Sequence, residues 1–204
     1  MSSAARDVLL GHATQVAPRL LGAVVESYLG GQRVAVRIVE TEAYRQDDPA
    51  SHTFRGPTSR NRVMFGPPGH AYVYFTYGMH HCLNVVCEPE GVGAAVLLRA
   101  GEVIEGAGTA QARRGPRVRT DALAAGPARL TQSLGIDRSH DGLDLFDAGS
   151  PLRLHLGPAV PDDGIAVGPR VGIRHAADKG WRFWLTGEPT VSRYTRHPGA
   201  PRLP

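Results

Sequence analysis

The chain is almost without lysine and carries little cysteine. Lys179 is the only lysine among 23 basic residues. A mechanism through a side-chain Schiff base therefore has one candidate amine, and it sits in the polar turn Ala176-Ala177-Asp178-Lys179-Gly180. Cys82 and Cys87 are the two cysteines. Five positions apart on one strand, they would face opposite ways, so no disulfide is expected and a reducing cytoplasm is the expected compartment. No apolar run approaches the roughly 18 residues that a membrane span needs. The N-terminal Met1-Ser2-Ser3-Ala4-Ala5-Arg6-Asp7 lacks the basic-then-apolar pattern of a secretory signal. No GxGxxG follows a strand, and neither GxxxxGK[ST] nor a GxSxG elbow occurs, so nucleotide cofactors and acyl-hydrolase chemistry have no support. His80-His81-Cys82 alternates across a strand, and no second cluster has ligand spacing. Neither a metal nor any other cofactor is expected.

What is present fits one domain. The 204 residues suffice for a single good core and are marginal for two. A net charge of +4 and a pI near 9.4 favour a polyanionic partner, nucleic acid first.

The organising stretch runs from Val34 to Asn84. Ala23–Leu29 and Arg33–Tyr44 read as strands joined at Gly30-Gly31, a strong hairpin signal. With period two, Val34, Val36, Ile38, Glu40, Glu42 and Tyr44 share one face. That face begins as a core stripe and ends in two carboxylates and a tyrosine, either in a cleft or at a solvated strand end. Gln46–Pro68 has no periodicity and reads as a long loop, with Arg60 and Arg62 suited to phosphates and Met64-Phe65 to a core anchor. His70–Thr76 and His81–Cys87 read as a second hairpin around Tyr77-Gly78-Met79-His80. Gly93–Ala100 is a further strand ending in Arg99, and Glu102–Gly106 closes it as a helical turn.

Ala107–Ala125 reads as a mobile basic loop. Pro127 to Leu134 is a short helix with Leu130 and Leu134 inward, stopped by Gly135. Short strands follow around Leu143–Phe146, Leu152–Leu156, Arg170–Ile173 and Trp181–Leu185. Residues 1–15 and 187–204 are expected to be loose tails, although Val16–Leu21 could form a helical turn.

Three constellations remain open at this level. Tyr44, Tyr72, Tyr74 and Tyr77 either pack a half-buried sheet or form a stacking platform for bases, with Tyr77 at a turn tip as a wedge. Asn84 either bonds neighbouring backbone or reads a base edge. Arg99 either snorkels at the surface or orients a carboxylate.

The ordered set Val39-Glu40-Thr41-Glu42-Ala43-Tyr44, Arg60-Asn61-Arg62, Met64-Phe65, Tyr72-Val73-Tyr74, Tyr77-Gly78-Met79, Asn84, Leu97-Leu98-Arg99-Ala100, Gly126-Pro127 with Arg129-Leu130 and Gln132, and Arg170-Val171-Gly172 resembles the alkyladenine (3-methyladenine) DNA glycosylase family. The resemblance spans roughly residues 18 to 186. It implies an α+β fold: a single mixed domain built on a curved antiparallel β-sheet with flanking short helices. It also implies a base-flipping, monomeric enzyme of DNA base-excision repair that hydrolyses the N-glycosidic bond of alkylated or deaminated purines in damaged double-stranded DNA. Such a protein would sit at the nucleoid of a bacterium.

By position, Glu42 would activate water and Arg99 would orient it or contact the DNA backbone. Tyr44 and His52 would sandwich the flipped base opposite Tyr74, Asn84 would help exclude guanine, and Tyr77 would fill the gap in the stack. Arg60, Arg62, Met64 and Tyr72 would follow the DNA backbone. With Lys179 alone, a monofunctional glycosylase without lyase activity is expected. Phe54, in a loop where the family is often small and polar, and the segment 107–121 depart from the pattern. Alternatives are a non-catalytic lesion- or RNA-binding module and a hydrolase of free nucleosides or RNA.

Overall fold

In the computed structural model, β2 (Gln32–Arg45) is the axis around which the other strands are arranged. The structure describes residues 6–76, 78 and 80–201. β1 (Val24–Leu29) returns onto β2 through Gly30 and Gly31, whose φ of 64° and 71° only glycine adopts freely. β3 (Ala71–Thr76), β4 (His80–Val86) and β5 (Ala94–Glu105) complete the order β3-β4-β5-β2-β1, with β6 (Leu152–His155) outside β1. The free edge of the second half of β2 is taken by β8 (Arg182–Leu185), which pairs in turn with β7 (Ile165–Gly168). Each pairing is antiparallel, and the sheet is strongly curled. This is the α+β architecture expected.

Helices close the curl. α1 (Ala13–Arg19) lies on β2, where Thr41 Oγ1 donates to the Ala17 carbonyl at 2.9 Å. α2 (Ala107–Arg114) packs on α3 (Pro127–Leu134), which buries Leu130 and Leu134 completely against the sheet. Pro127 opens α3 at the position where a missing N–H costs nothing, and Gly135 closes it with φ 76°.

Two of the three register shifts between β2 and β5 govern what faces what near the acidic end of β2. The β2–β5 register steps from Ile38–Gly101 to Glu40–Ala100, leaving Val39 over, then to Thr41–Leu98, leaving Arg99 over. An inserted residue reverses the alternation of side chains. Val36, Ile38 and Val39 accordingly all enter the core, and Ala43 continues it. The expectation that Val34, Val36 and Ile38 share a face with Glu40, Glu42 and Tyr44 is therefore corrected: the acidic end of the strand turns to the opposite face.

Other expectations change as well. Residues 102–105 continue β5 rather than forming a helical turn. Ala107–Arg114 is a helix with Ala110 buried, its last turn held by Arg113 donating to the carbonyls of Ser133 and Leu29. Leu143–Phe146 makes one bridge at Asp144 rather than a strand, and residues 170–173 form a turn. Of the segments expected to be loose tails, residues 6–15 and 187–201 are described, and both pack on the domain. Leu9 is fully buried, and the buried Glu88 carboxylate accepts from the Ala13 N–H at the start of α1. Residues 187–201 have no regular structure, yet bury Thr190 and Ala200.

Candidate active site

A cavity of about 360 Å³ opens on the face to which the bulges turn Glu40, Glu42 and Tyr44. Tyr44, His52, Tyr74, Asn84 and Arg99 all line it, joined by Met64, Tyr72, Leu97 and the turn from Val171 to Ile173. These residues come from β2, β3, β4, β5, the 46–70 loop and the loop after β7, so the sheet's curl gathers them. Aromatic rings form one wall. His52 and Tyr74 have centroids 4.7 Å apart, nearly perpendicular, and Tyr72 lies 5.6 Å from Tyr74. The Tyr72 hydroxyl and His52 Nδ1 are 3.0 Å apart. Asn61 holds this loop by donating to the carbonyls of His52 and Gly56 at 2.8 and 3.1 Å.

Glu42 lies behind Tyr44 and Arg99, fully buried. Its Oε2 accepts from the Tyr44 hydroxyl at 2.8 Å and from Arg99 Nη1 at 3.3 Å, and its Oε1 from the Val171 N–H at 2.7 Å. Glu40, equally buried, is differently occupied. Arg99 Nε, Arg182 Nε, the Ser192 N–H and the Ser192 hydroxyl all donate to it, at 3.0, 2.6, 2.7 and 2.9 Å. A carboxylate offers about four lone-pair directions. Three of the Glu40 donors converge on Oε1 and one on Oε2, whereas Glu42 receives two on Oε2 and one on Oε1, so among the described residues Glu42 Oε1 retains capacity for one more donor.

The surroundings set the protonation states. Burial first, then the Glu42 carboxylate, push the Tyr44 phenol well above its ordinary pKa. Burial likewise raises Tyr74 and Cys82, and pushes Tyr72 up to about 12. These groups keep their protons at neutral pH. Burial of the Arg99 guanidinium favours proton loss, but Glu42 and then Glu40 outweigh it and hold the pKa above its ordinary value. For His52, desolvation first and Arg60 second lower the pKa, which leaves the imidazole neutral at pH 7.

Arg60 and Arg62 are exposed, on the loop that supplies His52. Met64 and Tyr72 were expected beside them along DNA. They are instead 2% and 1% exposed, because the turn over Arg62–Phe65 folds Met64 inward and β3 turns Tyr72 to the cavity, where both form wall. Tyr77 lies outside the described residues. Among the described residues no group of His, Cys, Asp and Glu is placed to hold a metal ion, and no helix is long and apolar enough to cross a membrane.

The sequence profile described as methylpurine-DNA glycosylase (MPG) matches residues 7–189. The chain belongs to this family. A Streptomyces avermitilis protein named "Putative 3-methyladenine DNA glycosylase" is 52% identical over 187 residues, covering 89% of this chain and 87% of the relative. A Nocardia farcinica protein of the same name is 53% identical over 192 residues, covering 91% and 88%. One from Leifsonia xyli is 48% identical over 204 residues, covering 96% and 94%.

Several residues built into this glycosylase-family site escaped sequence reasoning. Arg182 and Ser192 bind Glu40 but lie in the last strand and the tail. Buried Arg170 donates to the Ala43 carbonyl at 2.9 Å and pairs with the buried Asp48 carboxylate. Its guanidinium stacks over Tyr44 and Trp181, 4.7 and 5.1 Å from the ring centroids. The Arg170-Val171-Gly172 run was the available signal; Asp48 and Ser192, polar residues in polar stretches, offered none.

Proposed function

We propose that this protein hydrolyses the N-glycosidic bond of alkylated or deaminated purines flipped out of duplex DNA, leaving an abasic site. Its substrates on this reading are 3-methyladenine, 7-methylguanine, hypoxanthine and ethenoadenine. The observation that carries it is the place of Glu42, a buried carboxylate bonded to both Tyr44 and Arg99 of the cavity wall and with one lone-pair direction left on Oε1. Glu42 has room for a water, next to Arg99, which spends three of its five N–H groups on Glu40, Glu42 and Ser192.

The reaction follows from that arrangement. Water attacks C1′ of the deoxyribose and gives a proton to Glu42, while the C1′–N9 bond breaks and its electron pair leaves with the purine. The anionic carboxylate stabilises the oxocarbenium character that develops on the sugar. A 3- or 7-alkylated purine carries positive charge and departs as a neutral base, so it needs no acid, whereas hypoxanthine or ethenoadenine departs with the electron pair as an anion and takes its proton from solvent water. Neutral His52 and the tyrosine rings supply faces on which such a cation stacks. A damaged base is also cheaper to unstack, which adds selectivity to the flipping step. The Asn84 amide donates to the Tyr72 carbonyl at 3.0 Å, and on this reading its fixed pose helps reject guanine. Tyr77 would occupy the gap in the stack, and Arg60 and Arg62 would meet phosphates. No side-chain amine lines the cavity among the described residues, which supports a monofunctional enzyme.

The test is single-turnover base release from duplex oligonucleotides carrying hypoxanthine, ethenoadenine or 7-methylguanine. A general base contributes about 10²- to 10⁴-fold. Glu42→Gln should lose about that factor while still binding the duplexes. No release from any lesion by the wild-type protein, despite tight lesion binding, would leave a reader of damaged DNA and overturn the enzyme.

A further inference from the structure

The Arg99 guanidinium lies closer to Glu40 on β2 than to the carboxylate it is placed to serve, and the C-terminal segment joins it through Ser192. Its Nε lies 3.0 Å from Glu40, whereas its Nη1 reaches Glu42 only at 3.3 Å, beyond the 2.7–2.9 Å of a strong charge-assisted bond. Nη2 donates to the Ser192 hydroxyl at 3.2 Å, and that hydroxyl donates onward to Glu40 at 2.9 Å. One hydroxyl thus acts as acceptor and donor between the two members of an ion pair, a role that needs an oxygen with both capacities. The Ser192 N–H fixes the other Glu40 oxygen at 2.7 Å. The Ser192 carbonyl accepts from Arg182 Nη2 at 2.8 Å, closing a ring of four residues.

The same segment reaches Glu42 by a second path. The Thr195 carbonyl accepts from the Gly172 N–H at 2.8 Å, and the adjacent Val171 N–H is the donor to Glu42 Oε1. A stretch without helix or strand is therefore bonded to both buried carboxylate systems, at residues 192 and 195.

We propose that residues 190–195 form a strap that positions the catalytic groups, with Ser192 as its positioning residue. By tying Arg99 to Glu40, Ser192 keeps the guanidinium beside Glu42 without saturating that carboxylate, so a water has somewhere to bind. The inference rests on the glycosylase reading of the site. Neither Ser192 nor Glu40 touches the reacting atoms, and each acts through Arg99.

The experiment compares the wild-type protein with Ser192→Ala and Ser192→Thr on a hypoxanthine duplex. Single-turnover rates are taken per active molecule, with the active fraction titrated against a duplex carrying a pyrrolidine abasic analogue. A displacement of about 1 Å at a catalytic group costs on the order of 10²-fold in rate. Ser192→Ala should lower the rate about tenfold to a hundredfold while duplex affinity stays within about twofold, and Ser192→Thr, which keeps the hydroxyl, should recover most of the rate. A merely structural role would reduce the active fraction and leave the rate per active molecule unchanged, and that outcome overturns the strap. So does a threonine variant as slow as the alanine variant. If the wild-type protein releases no base, the glycosylase reading itself fails and the strap falls with it; equal rates in wild type and Ser192→Ala overturn the strap alone.

Discussion

The backbone N–H of Val171 donates to Glu42 Oε1 at 2.7 Å, so a turn 129 residues further along the chain fixes one edge of a buried carboxylate. Arg170 in turn fixes that turn. Its guanidinium lies between the rings of Tyr44 and Trp181, and it is paired with Asp48, both side chains being fully buried.

Asp48→Asn tests this anchor. Removing one partner of a buried pair leaves an uncompensated charge and costs about 3–5 kcal/mol. At about 2–4 °C per kcal/mol for a chain of this size, Tm should fall by about 6–20 °C. Thermal denaturation followed by circular dichroism reads the change, and an unaltered Tm would mean that Asp48 does not hold Arg170.

His52 carries a pH prediction whose sign follows from its environment. Desolvation and Arg60 lower its pKa below the ordinary 6.5. Between the lowered value and 6.5 the unfolded chain binds more protons than the native one, so stability rises with pH there. The contribution is present above about pH 6.5 and is lost as pH falls through the lowered value. Imidazole resonances followed by NMR should show His52 titrating below 6.5, and His52→Gln should flatten the dependence of Tm between pH 5 and 7. A His52 midpoint above 6.5 would contradict the neutral stacking face.

Much of the fold was legible because it rests on period-two alternation and on glycine at turns that only glycine accepts cheaply. Ala23–Leu29, Gly30-Gly31 and the strand after them sit within one or two residues of where the pattern places them. The bulges at Val39 and Arg99 were not legible, since a single inserted residue changes no composition and is defined only by the partner strand. They matter most, because they send Glu40, Glu42 and Arg99 to one side. α2 was missed because Gly, Ala and Arg look loop-like until Ala110 and the carbonyls that receive Arg113 supply tertiary support. Ser192 was missed because its partners lie 93 and 152 residues away.

Arg60 and Arg62 should contribute to DNA affinity and not to the chemical step. Both are exposed beside the cavity, while the buried arginines are committed to carboxylates and carbonyls. Each phosphate contact contributes about 0.9 to the slope of log K against log salt. Arg60→Ala and Arg62→Ala should each reduce the magnitude of that slope by about one in fluorescence anisotropy titrations, with saturating single-turnover rates unchanged. An unchanged slope for both would move the DNA path elsewhere.

Tyr44→Phe separates the hydroxyl from the ring. The substitution keeps the ring beneath Arg170 but removes the 2.8 Å donor to Glu42, one of only three on a fully buried anion. A hydrogen bond to a charged group is worth about 1.5–3 kcal/mol, so base release should slow about tenfold to a hundredfold with duplex affinity nearly unchanged. The pH dependence identifies which form acts. Burial and the Glu42 charge raise the phenol well above 10, so the wild-type hydroxyl stays protonated through the neutral and mildly alkaline range. The stability tied to that proton is fully present below about pH 10 and is lost only as pH climbs toward the raised value. Rates measured from pH 7 to 9.5 should therefore show no alkaline limb that disappears in Tyr44→Phe. Such a limb would mean that a tyrosinate forms beside Glu42 in the working range, against the burial and the neighbouring charge that hold the phenol protonated.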